Sequence, residues 1–287
     1  MKPTLFSASR STFHRLLIEQ NVLTVDAQGV ASNADKDNVD SKAIAEEMLS
    51  TMGKPNVGVK IPAQSLGSRF EKQCLAFVQD TFPRLKHLRP GTWVVTTPSG
   101  QFKRGITDTE QYAHLATLSE ACEKQPELAA ILGQDYLIKP DIIILRETEE
   151  DVKINAIERL VDESTTNLAS LRKANGGKSI FHASISCKFT MRSDRAQNSR
   201  SEALNLIRNR KGRTPHIVVV TAEPLPSRLA SLALGTGDLD FVYHIALPEL
   251  LKAVNKRGSA DSRELLKIMI EGKRLRDISD LPLDLAV

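Results

Sequence analysis

From Asp141 onward the chain alternates short β-branched runs with helical stretches, and no other feature constrains the fold as tightly. Ile142-Ile143-Ile144-Leu145 is apolar at every position. Such a run suits a strand covered on both faces. Ile180–Thr190, His216–Thr221 and Phe241–Ala246 read as three further strands. Helices are predicted at Asp151–Ser170, Ser201–Arg210, Pro248–Lys256 and Ser262–Glu271, with a turn at Asn175-Gly176-Gly177. Alternation of this kind predicts an α/β fold with a central mixed β-sheet flanked by helices.

Upstream the texture is looser. Residues 24–58 are polar and loop-like, with a short helix at Ala43–Met52 that Pro55 ends. Leu66–Phe82 is an amphipathic helix, carrying Phe70, Cys74, Phe77 and Val78 on one face. Trp93–Thr97 is a short strand, and Thr107–Leu132 is mostly helical with a break at Pro126. The expectation is a single domain over residues 1–287. Residues 1–100 add helices and loops to a core at 135–287.

Composition removes several classes. Aromatic residues make up 5% of the chain, too few for a stacking platform on single-stranded nucleic acid. Cys74, Cys122 and Cys187 are scattered and odd in number. They form neither a disulfide framework nor a C-x-x-C pair, which points to a reducing, cytoplasmic compartment. No apolar run approaches the ~18 residues of a membrane span, and the first twenty residues lack the apolar stretch of a secretory signal. The six histidines show no ligand spacing, which leaves zinc chemistry without support. Asn175-Gly176-Gly177-Lys178-Ser179 has the look of a phosphate loop, but Arg172 occupies its first glycine and a strand follows Ser179. No nucleotide cofactor is expected.

The net charge of +4 is unevenly placed. Lys188, Arg192, Arg195, Arg200, Arg208, Arg210, Lys211 and Arg213 fall in one window with only Asp194 and Glu202 against them. That window carries +6, and the remainder is slightly acidic. A basic stripe matches the electrostatic footprint of duplex nucleic acid, although a solvated loop would also supply one. Within it stands Arg192-Ser193-Asp194-Arg195. Arginine grips guanine O6 and N7 in the major groove, and aspartate accepts from cytosine N4. The tetrapeptide therefore suits two adjacent C·G pairs. Applied twice by a twofold dimer, it reads the palindrome CCGG. Taken alone, it reads better as a local Arg–Asp–Arg salt-bridge cluster.

A second constellation adjoins the first. Pro140-Asp141 opens one predicted strand, Ser186-Cys187-Lys188 ends the next, and Glu202 starts the following helix. Two carboxylates suit Mg²⁺, which takes oxygen ligands plus water and phosphate. A nearby lysine can orient the attacking water and stabilise developing charge, and the ensemble would hydrolyse a phosphodiester. Each residue also has an ordinary explanation. Ser199-x-x-Glu202 and Ser68-x-x-Glu71 both fit capping boxes at helix starts.

These residues together resemble the CCGG-specific branch of the type II restriction endonucleases, across the whole chain. The superfamily pattern is Pro-Asp, then an acid, any residue and lysine. Ser186 replaces the acid here, and the branch is similar in supplying a glutamate from the next helix instead, which would be Glu202. The resemblance implies that Asp141, the Cys187 carbonyl and Glu202 bind Mg²⁺, that Lys188 is catalytic, and that Glu71 is accessory. It implies that Arg192, Asp194 and Arg195 read the inner CCGG of double-stranded DNA. The full site is then GCCGGC, with Asp35 and Arg228 at the outer pair and Gln64 in the minor groove. It also implies a homodimer or a homotetramer. Two other readings compete: a structure-specific repair or recombination nuclease on the same core, and a non-catalytic DNA-binding protein.

Overall fold

The computed structural model describes residues 3–58, 62–98, 105–125, 127, 130, 138–191, 193–235 and 237–287, with the backbone alone at 63, 64 and 193–195. In chain order the elements are α1 (Leu5–Glu19), β1 (Thr24–Val25), α2 (Val39–Met52), β2 (Asn56–Val57), α3 (Ala63–Thr81), β3 (Trp93–Thr96), α4 (His114–Lys124), β4 (Ile142–Arg146) and α5 (Asp151–Ile154). Then follow β5 (Ile180–Lys188), α6 (Ser193–Asn209), β6 (His216–Thr221), α7 (Pro226–Ala233), β7 (Phe241–His244), α8 (Leu247–Arg257), α9 (Ala260–Glu271), β8 (Leu275–Asp277) and α10 (Leu281–Asp284).

The fold is α/β, as the alternation of strands and helices predicts. Six strands form a mixed sheet in the order β3-β4-β5-β6-β7-β8, and β1 pairs with β2 in a separate parallel ribbon. Ile142 to Leu145 are all fully buried, which accounts for the unbroken apolar run.

The chain divides into two compact units, each discontinuous in sequence: residues 1–88, 185–201 and 217–287, and residues 89–184 and 202–216. In the first, β6, β7 and β8 run parallel, with Thr221 opposite His244 and His244 opposite Asp277. Helix α2 packs on α8, α1 on α3 and α9 on α7. Helix α1 is fastened by Arg10, whose guanidinium donates to Asp277 at 2.8 and 2.9 Å and to Glu249 at 2.9 Å.

In the second unit β3 and β4 are antiparallel, with Trp93 opposite Arg146. Tyr112 is fully buried, stacks edge-on against Phe181, and donates its hydroxyl to the Leu206 carbonyl of α6 at 2.9 Å. Gln111 bonds both the carbonyl and the amide of Phe181, at 2.7 and 2.8 Å.

Four local expectations need correction. Asp151–Ser170 is helical only over α5. Beyond it, Asn155 Oδ1 accepts the Leu160 and Val161 amides at 2.8 and 2.9 Å, and Asp162 Oδ1 accepts that of Ser164 at 2.8 Å. Side chains that bond nearby backbone in this way compete with helix formation. The helix expected from Ser201 begins eight residues earlier, at Ser193. Its buried face is built from Ala196, Ser199, Ala203 and Leu206, small residues that leave a faint apolar signal. The strand from Phe241 ends at His244, whose Nδ1 accepts the Ala246 amide at 3.0 Å. Thr107–Leu132 opens as two 3₁₀ turns, Gly105–Asp108 and Glu110–Tyr112, before α4. Thr109 separates the turns in an extended conformation, and Pro126 lies outside the described residues.

Candidate nucleic-acid interface and active site

Strand β4 begins immediately after Asp141, which is half-buried behind the buried Pro140. Lys188 is the last residue of β5 and half-buried, and Cys187 before it is buried. Glu202 stands half-buried on α6, nine residues beyond its first residue. Glu71 is half-buried on α3, eight residues beyond the first.

These placements remove the capping-box explanation for both glutamates. Helix α6 starts at Ser193, so Ser199 and Glu202 are interior to it. Helix α3 starts at Ala63 after Pro62, which makes no side-chain cap, so Ser68 and Glu71 are interior as well. A capping box requires the serine at the N-cap position.

Among the described residues, no three His, Cys, Asp or Glu side chains gather as a metal-binding group. The expected donors are two carboxylates and a peptide carbonyl. That set suits a hard cation that keeps several water or phosphate ligands, and it does not suit zinc.

Of the expected base readers, Arg192 lies outside the described residues. Asp194 and Arg195 sit in the first turn of α6 and Gln64 in the first turn of α3, all by backbone only. Asp35 and Arg228 are fully described and brought together. The Arg228 guanidinium donates from Nη2 to Asp35 Oδ2, and both side chains are partly exposed. A groove of about 390 Å³ between α6 and α7 is lined by Met191, Ala196, Gln197, Arg200, Ser227, Arg228 and Ser231.

Several cations of the basic window have local partners within their own unit. Arg200 donates from Nη2 to the Ser231 carbonyl at 2.7 Å and stands 3.8 Å from Asp238. It therefore clamps the C-terminal turn of α7, where a cation also meets the helix dipole favourably. Lys211 and Arg213 line a second pocket, about 220 Å³, together with Arg89, Arg146 and Trp93. Burial and the neighbouring Arg213 and Arg146 hold the Arg89 guanidinium below its usual range.

One residue escaped sequence reasoning. Glu223 is 0% exposed, and its carboxyl is pushed up to about 7, chiefly by burial. Its Oε2 accepts the Met191 amide at 2.7 Å, and its Oε1 accepts the Leu225 amide at 3.1 Å. The available signal was a lone acid between Ala222 and Pro224, in a stretch otherwise apolar from Ile217 to Pro226 but for Thr221.

The NgoMIV restriction enzyme family profile matches residues 13–287. The chain belongs to this family. It is 52% identical over 283 residues to the type II restriction enzyme NgoMIV of Neisseria gonorrhoeae, covering 99% of both chains. Membership makes the α/β sheet a restriction-endonuclease scaffold and the protein a site-specific deoxyribonuclease.

Proposed function

We propose that this restriction enzyme makes double-strand cuts in duplex DNA at palindromes with a CCGG core, with GCCGGC as its site, and that it requires Mg²⁺. The observation that carries the catalytic part is the position of Glu202. Interior to α6, it has no capping role, and it follows a β5 whose end carries Ser186 in place of the usual acid.

In this reading Asp141, Glu202 and the Cys187 carbonyl hold the cation, which when bound lowers the pKa of a water and offsets charge at phosphorus. Lys188 orients the attacking water and balances the charge that builds on the phosphate oxygens. Glu71 is accessory to this carboxylate set. Arg192 and Arg195 donate to guanine O6 and N7, and Asp194 accepts from cytosine N4. Arg228 and Asp35 address the outer pair, and Gln64 approaches the minor groove.

A palindrome read by one tetrapeptide per strand calls for a homodimer, and pairing of two dimers gives a homotetramer. Val152, Ile157, Leu160 and Leu168 stand exposed on a single segment, which favours a further self-association surface. No helix among the described residues is long and apolar enough to cross a membrane, and the three cysteines are free thiols. Both fit a cytoplasmic location.

The test is cleavage of plasmid DNA with Mg²⁺, followed by sequencing of the ends. Uniform ends within GCCGGC are expected. Random nicks, or cuts confined to branched junctions, would favour a repair nuclease. Tight binding without cleavage would favour a DNA-binding protein.

A further inference from the structure

A buried carboxylate is costly unless its oxygens are bonded, and Glu223 is bonded in an unusual place. Its two oxygens divide between two chain segments. Oε2 holds the amide of Met191, the residue that leads into Arg192–Arg195. Oε1 holds the amide of Leu225, which precedes α7, and the first turn of α7 carries Arg228. Arg228 Nη1 stands 3.9 Å from Oε2, while its Nη2 engages Asp35. The neighbouring residue completes the junction. Ala222 donates its amide to the Phe189 carbonyl at 3.1 Å, and its own carbonyl accepts from Asn33 Nδ2 at 2.8 Å. Three segments, 33–35, 189–191 and 225–228, thus converge on residues 222 and 223.

We propose that Glu223 is a positioning residue for sequence discrimination: its buried carboxylate ties the backbone entering the inner-pair readers to the arginine of the outer pair, so that both parts of the site are read as one unit. The proposal rests on the assignment of Arg192, Asp194, Arg195, Arg228 and Asp35 as base readers.

Titration supplies an independent handle. Burial raises the Glu223 carboxyl to about 7, Asp35 adds to the rise, and the Met191 and Leu225 amides with Arg228 oppose it. His244 on β7 stands by the Glu223 backbone, and burial lowers its ring to about 4, so it stays neutral in the same range. A protonated Glu223 loses its attraction for Arg228 and keeps a weaker hold on the two amides.

The experiment is equilibrium binding by the full-length protein, with Ca²⁺ replacing Mg²⁺, to duplexes containing GCCGGC, ACCGGT, GCATGC or a scrambled site. The second duplex alters the outer pair and the third alters the inner pairs. Glu223→Gln presents an amide N–H₂ where two amides need acceptors. We expect about a tenfold loss on GCCGGC, unchanged affinity for the scrambled duplex, and discrimination against both altered sites falling together. In the wild type, both discrimination ratios fall as pH drops from about 8 to about 6, and in the Gln variant they are flat. Full discrimination by the variant, loss of the outer ratio alone, or pH-independent wild-type ratios would overturn the proposal. If the variant fails to fold, the wild-type pH profile decides. Failure of the base-reader assignment looks different, because the wild type itself would then not prefer GCCGGC to the scrambled duplex.

Discussion

Arg228 and Asp35 lie 193 positions apart and form an ion pair, Nη2 to Oδ2, and Arg228 also lines the α6–α7 groove. Both are proposed outer-pair readers, so each orients the other before DNA arrives. Arg228→Ala and Asp35→Asn should each weaken binding to GCCGGC by about 1–3 kcal/mol. Because the residues are in contact, the double variant should lose less than the combined single losses, with a coupling of about 0.5–3 kcal/mol. A double-mutant cycle by fluorescence anisotropy measures this. Additive losses would show that the two residues act independently.

Asp141→Ala and Glu202→Gln should separate cleavage from binding. Each removes a carboxylate proposed to hold the cation, and we expect single-turnover cleavage to drop by about a hundredfold or more. Affinity for GCCGGC should survive, since neither residue is proposed to read a base. Chelation with EDTA should stop the wild type and added Mg²⁺ should restore it. Undiminished cleavage by either variant removes that residue from the mechanism.

Arg195→Ala should cost about 1–3 kcal/mol on GCCGGC and little on a scrambled duplex. The reading places Arg195 on a guanine, with its backbone in the first turn of α6. Equal losses on every sequence would make it a phosphate contact instead.

Strands were legible because their apolar runs leave no alternative: Ile142–Leu145 and His216–Thr221 needed only their own residues. Helix α6 was half hidden, since Ala196 and Ser199 bury its early turns without a strong hydrophobic period. The candidate site shows in the sequence where its pattern is local, at Pro140-Asp141 and Ser186-Cys187-Lys188. It was illegible where the fold makes the partner. No sequence pattern shows that Arg200 clamps α7, or that Glu223 receives the Met191 amide from 32 residues away. Charge density put Arg200 in the basic window, but only the fold shows that its guanidinium serves helix-end carbonyls.

Tyr112 anchors the helix that carries Glu202. Its buried hydroxyl donates to the Leu206 carbonyl, one turn beyond that glutamate. Burial raises the phenol well above its usual range, so it stays protonated and donating. Tyr112→Phe keeps the ring against Phe181 and deletes only this bond. The cost should be about 1–2 kcal/mol in urea unfolding, with an unchanged m-value. No measurable loss would show that the bond contributes nothing to stability.

The Arg10 clasp should make stability depend on pH in the acid range. Burial raises the Asp277 carboxyl, but hydrogen bonds and charge from Arg10, with Ser279, outweigh it and hold the group below its usual range. Glu249 is depressed in the same way, burial being outweighed by Arg10. A depressed carboxylate stabilises the fold above its unfolded pKa, and that contribution fades as pH falls toward the folded value. Arg10→Met keeps much of the side-chain volume and leaves both acids unpaired. It should cost about 3 kcal/mol at neutral pH. Without Arg10, burial raises both carboxyls and favours their protonated form in the fold, so the loss relative to the wild type should shrink as pH falls through the carboxylate range. Circular dichroism across an acid titration tests both parts. A loss that stayed the same from neutral to acid pH would show that the clasp is not the source of this pH dependence.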